Sequence, residues 1–332
     1  MRSIACISLL LFLLLFLAIP GATAQNGEEV FTFLRYPFSA RAGALGGNNV
    51  SVVEQDPSLV FHNPALAGAE LGGMVNLNYM NFISDIHLGS ALYIRALGEN
   101  GAWGVGANFI RYGNFKQTTP EKVTEGEFSV EDVSLNVFYA HDLSERWRGG
   151  IALKFLYAWL ESYTSLGLAA DAGLSYYDPE KEFSVGIALK HAGAQLKAYY
   201  DKRQRLPWDI QVGFSQRAAH APFRFSLTAM YLNTWDFSYV DPNSPAYTGD
   251  TFFRTFIKHF VFGVDFIPSE NFWLGMGFNP KTQADMKLQS GNGLGGFSAG
   301  GGIRIKTFDL GVSVARYHPS ALSLMLSLSA AL

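Results

Sequence analysis

The chain has 332 residues and a net charge of -3, with 14% aromatic residues and 34 glycines but only 16% charged residues. A balance this close to neutral does not favour nucleic acid as a partner. The single cysteine, Cys6, lies in the N-terminal apolar run, so disulfides and thiolate metal sites are excluded from the rest of the chain.

The first 24 residues predict a secretory signal peptide. Arg2 supplies the positive start, residues 4–19 form the apolar core, and Ala22-Thr23-Ala24 offers the small residues of a cleavage site. The apolar run is short for a membrane span, which needs about 20 residues, so cleavage is favoured over anchoring. An exported chain rich in aromatic residues and glycine, without a second apolar span, is typical of an outer-membrane β-barrel.

Residues 25–70 predict a compact N-terminal hatch. Ser39–Leu45 has the small residues of a short helix around Arg41, and Gly46-Gly47 ends it, because glycine tolerates the backbone angles at helix ends. Residues Val50–Val53 then predict a short strand.

The second half of the hatch begins at Asp56-Pro57, where proline fits the first position of a new helical turn. Asn63-Pro64-Ala65 ends the segment, because the residue before proline is pushed out of helical angles. A segment of this size cannot bury a core of its own, so we expect the rest of the chain to surround it.

Residues 71–332 alternate with period two over fourteen segments. The predicted strands are 73–82, 87–97, 101–112, 131–141, 147–160, 164–177, 182–194, 207–217, 223–236, 256–267, 271–279, 294–306, 307–317 and 320–331. An even count and lengths near those of tilted spanning strands are typical of bacterial barrels. We therefore predict an all-β membrane protein of the cell outer membrane, a 14-stranded antiparallel β-barrel with the hatch inside.

The connections support this topology. The four longest gaps, 113–130, 195–206, 237–255 and 280–293, are all odd-numbered, whereas the even-numbered gaps are short turns. Short periplasmic turns and longer outer loops are usual in these barrels. The competing fold, a secreted sandwich or propeller, would usually show a blade-like repeat, and we find none.

Charged residues within the strands are predicted to face the lumen, because Lys or Arg on the lipid side costs about 2–4 kcal/mol at the midplane. These residues are Arg95, Lys154, Asp171, Lys190, Asp209, Arg224, Asp265 and Arg304. Their mixed signs allow pairs such as Lys154 with Asp171 or Asp209 with Arg224. This pattern favours a plugged barrel over an open ion pore.

One motif invites an enzyme interpretation. Gly296-Phe297-Ser298-Ala299-Gly300 matches the nucleophile elbow of hydrolases, and Asp309 and His318 follow in the order of a triad. The elbow requires a helix after the serine, whereas here a strand continues, so we interpret the match as coincidence. We predict no catalytic residue, metal site or cofactor, and no enzyme.

Two resemblances concern the hatch and several later blocks. Asn63-Pro64-Ala65 in a small insert before a fourteen-stranded barrel resembles the hatch of the FadL family of outer-membrane transporters. Residues 33–47, 56–66, 160–171 and 220–226 resemble the PorQ family of the type IX secretion system of Bacteroidetes. In the hatch, the residues that carry these likenesses are Arg41, Gly46, Gly47, Asn63, Pro64 and Ala65.

The second resemblance implies a non-catalytic member of the attachment complex. Such a barrel would hold a PorZ-like surface protein, with the protease PorU and the barrel PorV, while cargo is processed and joined to lipopolysaccharide. The partner is expected to bind the long outer loops, chiefly 113–130 and 237–255, and the predicted partner-facing residues in the second loop are Phe237, Tyr239 and Tyr247. Outer-membrane lipid is a further expected partner.

Two alternatives remain open. A transporter of a hydrophobic small molecule with a lateral opening, as in the FadL family, needs an apolar channel beside the hatch, and a lumen filled by paired charges counts against it. A surface lipid hydrolase would depend on Ser298.

Overall fold

The structure is a computed structural model, and it describes residues 29–118, 124–235, 237, 251–286, 295–318 and 321–332. The predicted signal peptide, residues 1–24, lies outside the described residues. Within the described ranges, no helix is long and apolar enough to cross a membrane.

Fourteen strands follow one another in the described part of the chain. They are β1 (Met74–Ile83), β2 (Ile86–Ala96), β3 (Gly101–Thr118), β4 (Thr124–Asp142), β5 (Trp147–Leu160), β6 (Tyr163–Asp178), β7 (Phe183–Lys197), β8 (Asp209–Arg217), β9 (Phe223–Ala229), β10 (Phe260–Ser269), β11 (Phe272–Phe278), β12 (Phe297–Ile305), β13 (Phe308–His318) and β14 (Ala321–Ala331). Each pairs antiparallel with its neighbours, and β1 pairs with β14, which closes the barrel. The predicted fourteen-stranded antiparallel barrel is confirmed.

The alternation of side chains places an apolar belt outside. In β14, Leu322, Leu324 and Leu326 are exposed on the outer face, while Ser323 and Met325 are buried on the inner face. Successive residues of a strand point to opposite faces, and in a closed barrel the outer face has no protein to cover it. An apolar belt around a closed barrel indicates the outer membrane.

The two ends of the barrel differ as predicted. Met74 pairs with Ala331, so both chain ends of the barrel lie at one end, which we take as periplasmic. The connections at that end are short turns, and those at the opposite, outer end include the long gaps 198–208, 230–259 and 279–296.

The prediction that 113–130 is a loop is wrong, because most of this segment belongs to two strands. β3 continues to Thr118 and β4 begins at Thr124, and the two pair from Asn114 with Ser129 up to Thr118 with Thr124. Alternation did not reveal this ribbon, because both faces of a strand beyond the membrane are in water and neither needs to be apolar.

The predicted ninth and tenth strands are too long. β9 ends at Ala229, and Tyr231 adopts a left-handed backbone angle (φ 59) that does not extend a strand. Residues before β10 form helix α2 (Phe252–Lys258), and helix α3 (Pro280–Asp285) lies in the next outer connection.

The chain before β1, residues 29–73, is here called the inner segment. It contains the short helix α1 (Ala40–Ala44), which contacts β11, β12, β13 and β14, and 3-10 turns that contact β1, β2, β4, β5 and β6. Contacts with strands on opposite sides of the barrel place this segment within the lumen. Its Phe33, Leu59 and Phe61 are buried in one apolar cluster with wall residues.

The predicted strand Val50–Val53 is wrong. The Asn49 side chain accepts hydrogen bonds from Ser51 N (3.0 Å) and Val52 N (2.8 Å), which makes a turn. The carbonyl of Val50 accepts a bond from the Asn63 side chain instead of a strand partner.

Candidate functional site

Asn63-Pro64-Ala65 rests directly on the inner wall of the barrel. Asn63 Oδ1 accepts a hydrogen bond from Ala65 N (3.0 Å), and its Nδ2 donates to Val50 O (2.8 Å). A Cβ at Gly173 of β6 would overlap Asn63 Oδ1, and one at Gly150 of β5 would overlap the Pro64-Ala65 backbone. The motif therefore fits against strands that carry glycine at the contact.

Gly46 and Gly47 end α1 with φ values of 98° and 94°. Ser298 Oγ of β12 accepts a hydrogen bond from Gly46 N (2.9 Å) and donates one to Ala44 O (2.8 Å). Asp309 instead pairs with Arg304 (2.5 Å), at the other end of β12. Ser298 thus holds the end of α1, and it does not meet Asp309; the His318 side chain lies outside the described residues.

Arg41 is buried among aromatic and acidic groups. Its guanidinium lies 4.6 Å from the centroid of the Trp273 ring, and its Nη2 is 3.6 Å from Glu54 and 3.7 Å from Asp265. Burial raises the pKa of Glu54, but the charges of Arg41 and Arg224 outweigh it and hold that pKa below its ordinary value.

The predicted pair of Asp209 with Arg224 is wrong. Arg224 forms ion pairs with Asp265 (2.6 Å) and Glu54 (2.6 Å), and Asp209 accepts a hydrogen bond from Gln211 (2.7 Å). Arg224 lies near the periplasmic end of β9 whereas Asp209 begins β8 at the outer end, so the two cannot meet.

The prediction that Arg95 faces the lumen is also wrong. The residue is exposed on the outer face of β2, while Leu92 and Ile94 face inward and are buried. The inner face of β2 is apolar because it packs against the inner segment. Both faces of β2 therefore carry apolar residues, and the sequence pattern does not show which face points inward. Arg95 lies one residue from the strand's periplasmic end, where a long side chain reaches the headgroup region.

A second group of charges lies on β5, β6 and β7. Asp171 pairs with Lys154 (2.7 Å), as predicted, and also with Lys190 (3.2 Å). Lys154 Nζ lies 3.0 Å from His191 Nδ1. Lys190 Nζ donates to the carbonyls of Phe61 and His62, the second at 3.0 Å. The wall charges are thus bonded to the inner segment.

The enclosed space above these charges is small. Its volume is about 30 Å³, with apolar lining from Leu34, Phe38 and Met230 and charged lining from Lys190 and Asp209. A water molecule needs roughly 10–15 Å³ on this measure, so the space holds a few waters at most. Around these charges, in the described part of the chain, the inner segment and the paired charges therefore fill the lumen, whereas a wider space of about 720 Å³ lies at the periplasmic end beside Glu54, Glu70 and Arg148.

The barrel wall separates beside this space. The last pair between β7 and β8 is Lys190 with Asp209, although β7 continues to Lys197. Pro207 lacks an N–H and cannot extend the pairing. The backbone before Asp209 pairs with the inner segment, since Val30 N donates to Arg205 O (3.0 Å), and Gln204 N donates to the Gln195 side chain of β7 (2.7 Å).

The predicted partner-facing residues are only partly described. The Phe237 ring packs on His259 (4.9 Å between centroids) and near Tyr231 (5.9 Å). Tyr239 and Tyr247 lie outside the described residues. Within the described ranges, no group of three His, Cys, Asp or Glu side chains is arranged to hold a metal ion.

Sequence reasoning missed two features of this site. The inward glycines that receive the inner segment, such as Gly150 and Gly173, were readable as strand glycines, a known sign of close backbone approach. Pro207 was readable as the limit of β8, because proline cannot donate to the ladder. Both signals were present in the sequence.

No protein-family model matches the sequence, and no curated protein is similar to it. Solved structures are similar in fold. The Pseudomonas putida toluene transporter TodX has a TM-score of 0.54 at 10% identity, over 90% of this chain and 98% of that chain. A TodX deltaS2S3 mutant, described as a monoaromatic hydrocarbon channel, has a TM-score of 0.56 at 10% identity, over 89% and 99%. A Pseudomonas aeruginosa FadL homologue has a TM-score of 0.49 at 11% identity, over 88% and 97%.

At 10% identity, the likeness to the TodX structures concerns the fold alone, and it supports the predicted barrel class. It gives no support to the resemblance to the PorQ family.

Proposed function

We propose that this barrel passes a hydrophobic small molecule from the cell surface sideways into the outer membrane, through the separation of β7 and β8. The observation that carries the proposal is the position of the enclosed space. It is lined by Lys190, Pro207 and Asp209, the residues at which the two strands part.

A sideways route fits the filled lumen. A straight path would cross the Lys154–Asp171–Lys190 group and the inner segment, where an apolar molecule meets buried charges. The part of β7 that has no β8 partner lies at membrane height instead, because its Ala194 pairs on the other side with Leu168 of β6, which is 47% exposed in the outer apolar belt. An apolar molecule leaving there enters lipid directly.

The route needs a local movement. An enclosed space of about 30 Å³ is too small for a monoaromatic ring, since a cavity that binds benzene has roughly 150 Å³. The bond from Val30 N to Arg205 O joins the inner segment to the chain before β8, and the Arg35–Glu29 ion pair (2.5 Å) fixes the N-terminal end of the inner segment beside it. Release of these contacts would widen the space toward the strand separation. The N-terminal end of the inner segment would then act as a gate.

The fold likeness supports a proposal for the class of the transported molecule. TodX is described as a toluene transporter, and its mutant as a monoaromatic hydrocarbon channel. We propose a small apolar molecule of this kind for the present barrel.

A cysteine pair tests the route. Because the only cysteine is Cys6 in the predicted signal peptide, Glu29→Cys with Arg205→Cys gives a single disulfide across the paired positions. The matched control is Asn76→Cys with Ser329→Cys, which joins β1 to β14 where no opening is proposed. Uptake of radiolabelled toluene is measured in cells that lack other hydrophobic-uptake barrels.

We expect the disulfide between positions 29 and 205 to abolish uptake and its reduction to restore uptake. The control disulfide between positions 76 and 329 should leave uptake unchanged. Uptake equal to that of cells without the barrel would overturn transport. If the disulfide between positions 29 and 205 does not change uptake, the lateral route is overturned.

A specific observation favours a second function, the anchoring of a surface protein. The β3–β4 ribbon rises beyond β2, whose last pair with β3 is His87 with Arg111. It exposes Phe115, stacked on Phe128 at 5.5 Å between centroids. A projecting ribbon with free edges and aromatic residues suits a protein partner. In this function, a PorZ-like protein would be the partner, with PorU and PorV in the larger complex.

Mild-detergent purification of the tagged barrel from outer membranes tests anchoring. We expect a surface protein in stoichiometric amount, and its loss when residues 113–130 are replaced by a short turn. Shortening the Asp201–Arg203 region, in another outer connection, is the control. Recovery of the barrel without a protein partner would exclude anchoring.

A further inference from the structure

Helix α2, Phe252–Lys258, lies in the long outer connection before β10 and has no buried residue. Its Phe252 and Phe253 are 75% and 69% exposed, the largest exposures among the phenylalanines of the described residues. Phe256 is 39% exposed. A short helix that leaves three phenylalanines uncovered requires an explanation.

The helix is amphipathic. At about 100° per residue, Phe252, Phe253, Phe256 and Ile257 fall on one arc of the helix surface. Arg254, which is exposed, and Lys258 fall on the opposite arc. This division of aromatic and basic residues is typical of helices that lie in a membrane interface.

The aromatic arc continues the lipid-facing surface of the barrel. The Phe262 ring, 41% exposed on the outer face of β10, is 6.4 Å from the Phe260 ring, which is 5.0 Å from Phe256. Phe256 lies 6.3 Å from Phe252, and Phe252 stacks on Trp235 at 6.2 Å. An unbroken row of rings therefore runs from the apolar belt onto the helix.

The helix has little support within the described part of the chain, where it contacts α3, the start of β10 and Trp235. It has seven residues and no side-chain cap at Thr251, and helices this short are marginal in water. Burial of the aromatic arc in an apolar phase would supply the missing stabilisation.

We propose that α2 is an interfacial anchor, whose phenylalanines insert into the outer leaflet while Arg254 and Lys258 contact anionic lipid headgroups. Continuity with the lipid-facing belt selects lipid as the occupant. The basic arc selects the phosphate-bearing headgroups, since cations near a membrane surface are attracted to anionic lipid. This inference does not depend on what the barrel transports or holds.

The test uses a nitroxide spin label on single cysteines in the full barrel, reconstituted into phosphatidylcholine vesicles. Labels are placed by Phe253→Cys on the aromatic arc, Thr255→Cys on the other side, and Phe115→Cys on the β3–β4 ribbon as the matched exposed phenylalanine. We expect collisions with oxygen to exceed those with a water-soluble nickel complex at 253, and the reverse at 255 and 115. Equal exposure of 253 and 115 to the nickel complex would overturn the anchor.

The headgroup preference has its own test. Adding one part of phosphatidylglycerol to three of phosphatidylcholine should slow the label at 253. The response should be lost in Arg254→Gln/Lys258→Gln and kept in Arg203→Gln, an exposed arginine of another outer connection. A label at 253 that lies in lipid but does not respond to phosphatidylglycerol would overturn the headgroup half of the proposal.

Discussion

Lys190 of β7 donates a hydrogen bond to the backbone carbonyl of His62 over 3.0 Å, and so joins the barrel wall to the inner segment. The same ammonium group is 3.2 Å from Asp171, which also pairs with Lys154. One carboxylate thus serves two buried lysines, and the backbone of the inner segment satisfies the second of them.

Asp171→Asn should destabilise the barrel more than Lys190→Met. The first change leaves two buried ammonium groups without a carboxylate, whereas the second keeps the Lys154–Asp171 pair. Breaking a buried ion pair costs about 3–5 kcal/mol. The measurement is the free energy of unfolding in urea with detergent micelles. Lys190→Met as costly as Asp171→Asn would show that the bonds to the inner segment matter more than the shared carboxylate.

Neighbouring glycines of β5 test whether the inner segment rests on the wall as described. Gly150→Ala should destabilise by about 1–3 kcal/mol, the usual cost of overpacking, because its Cβ would overlap the backbone at Pro64-Ala65. Gly149→Ala is the control on the same strand, since its Cβ meets only the flexible Leu143 side chain at 3.3 Å. Protease protection of the inner segment should decrease in the first variant alone. Equal effects would contradict this docking.

The strands were predictable because the membrane imposes alternation. In β14, leucine and serine alternate along the strand, and a barrel with lipid outside and protein inside demands this pattern. The prediction of strands from alternation fails outside the membrane, where nothing requires one face of a strand to be apolar. Residues 113–118 extend β3 beyond its last pair with β2, and their sequence shows no preferred face.

Charge pairing was predictable only in part, because it depends on register. Lys154 and Asp171 lie on adjacent strands one diagonal step apart, since Lys154 pairs with Ala169 and Ala152 with Asp171. Arg224 was assigned the wrong partner because its acids come from β10, where Asp265 lies directly opposite it, and from the inner segment, which supplies Glu54. Contacts between the inner segment and the wall carry no periodic signal in the sequence.

His62 should make the barrel sensitive to acid. Burial and the charges of Lys190 and Lys154 lower the pKa of His62 to about 3, whereas in the unfolded chain it is near 6.5. Between these values the unfolded state binds a proton that the folded state does not, so this residue lowers stability by about 1.4 kcal/mol for each pH unit of acidification. His62→Gln should flatten the decline between pH 6.5 and 4. His220→Asn, at an exposed turn, is the control, and an unchanged slope in His62→Gln would contradict the burial of a neutral imidazole.

Ser298→Ala separates a structural serine from a nucleophile. Ser298 accepts a hydrogen bond from Gly46 N and donates one to Ala44 O, so its loss leaves a buried donor and a buried acceptor at the end of α1. Unsatisfied buried groups cost about 1–3 kcal/mol, and we expect a loss of that size in the free energy of unfolding. Ser144→Ala, at an exposed periplasmic turn, should change nothing. Ester hydrolysis by the purified barrel, measured with p-nitrophenyl butyrate, should stay at background in all three proteins. A rate above background that disappears in Ser298→Ala would instead establish the hydrolase that the elbow motif suggests.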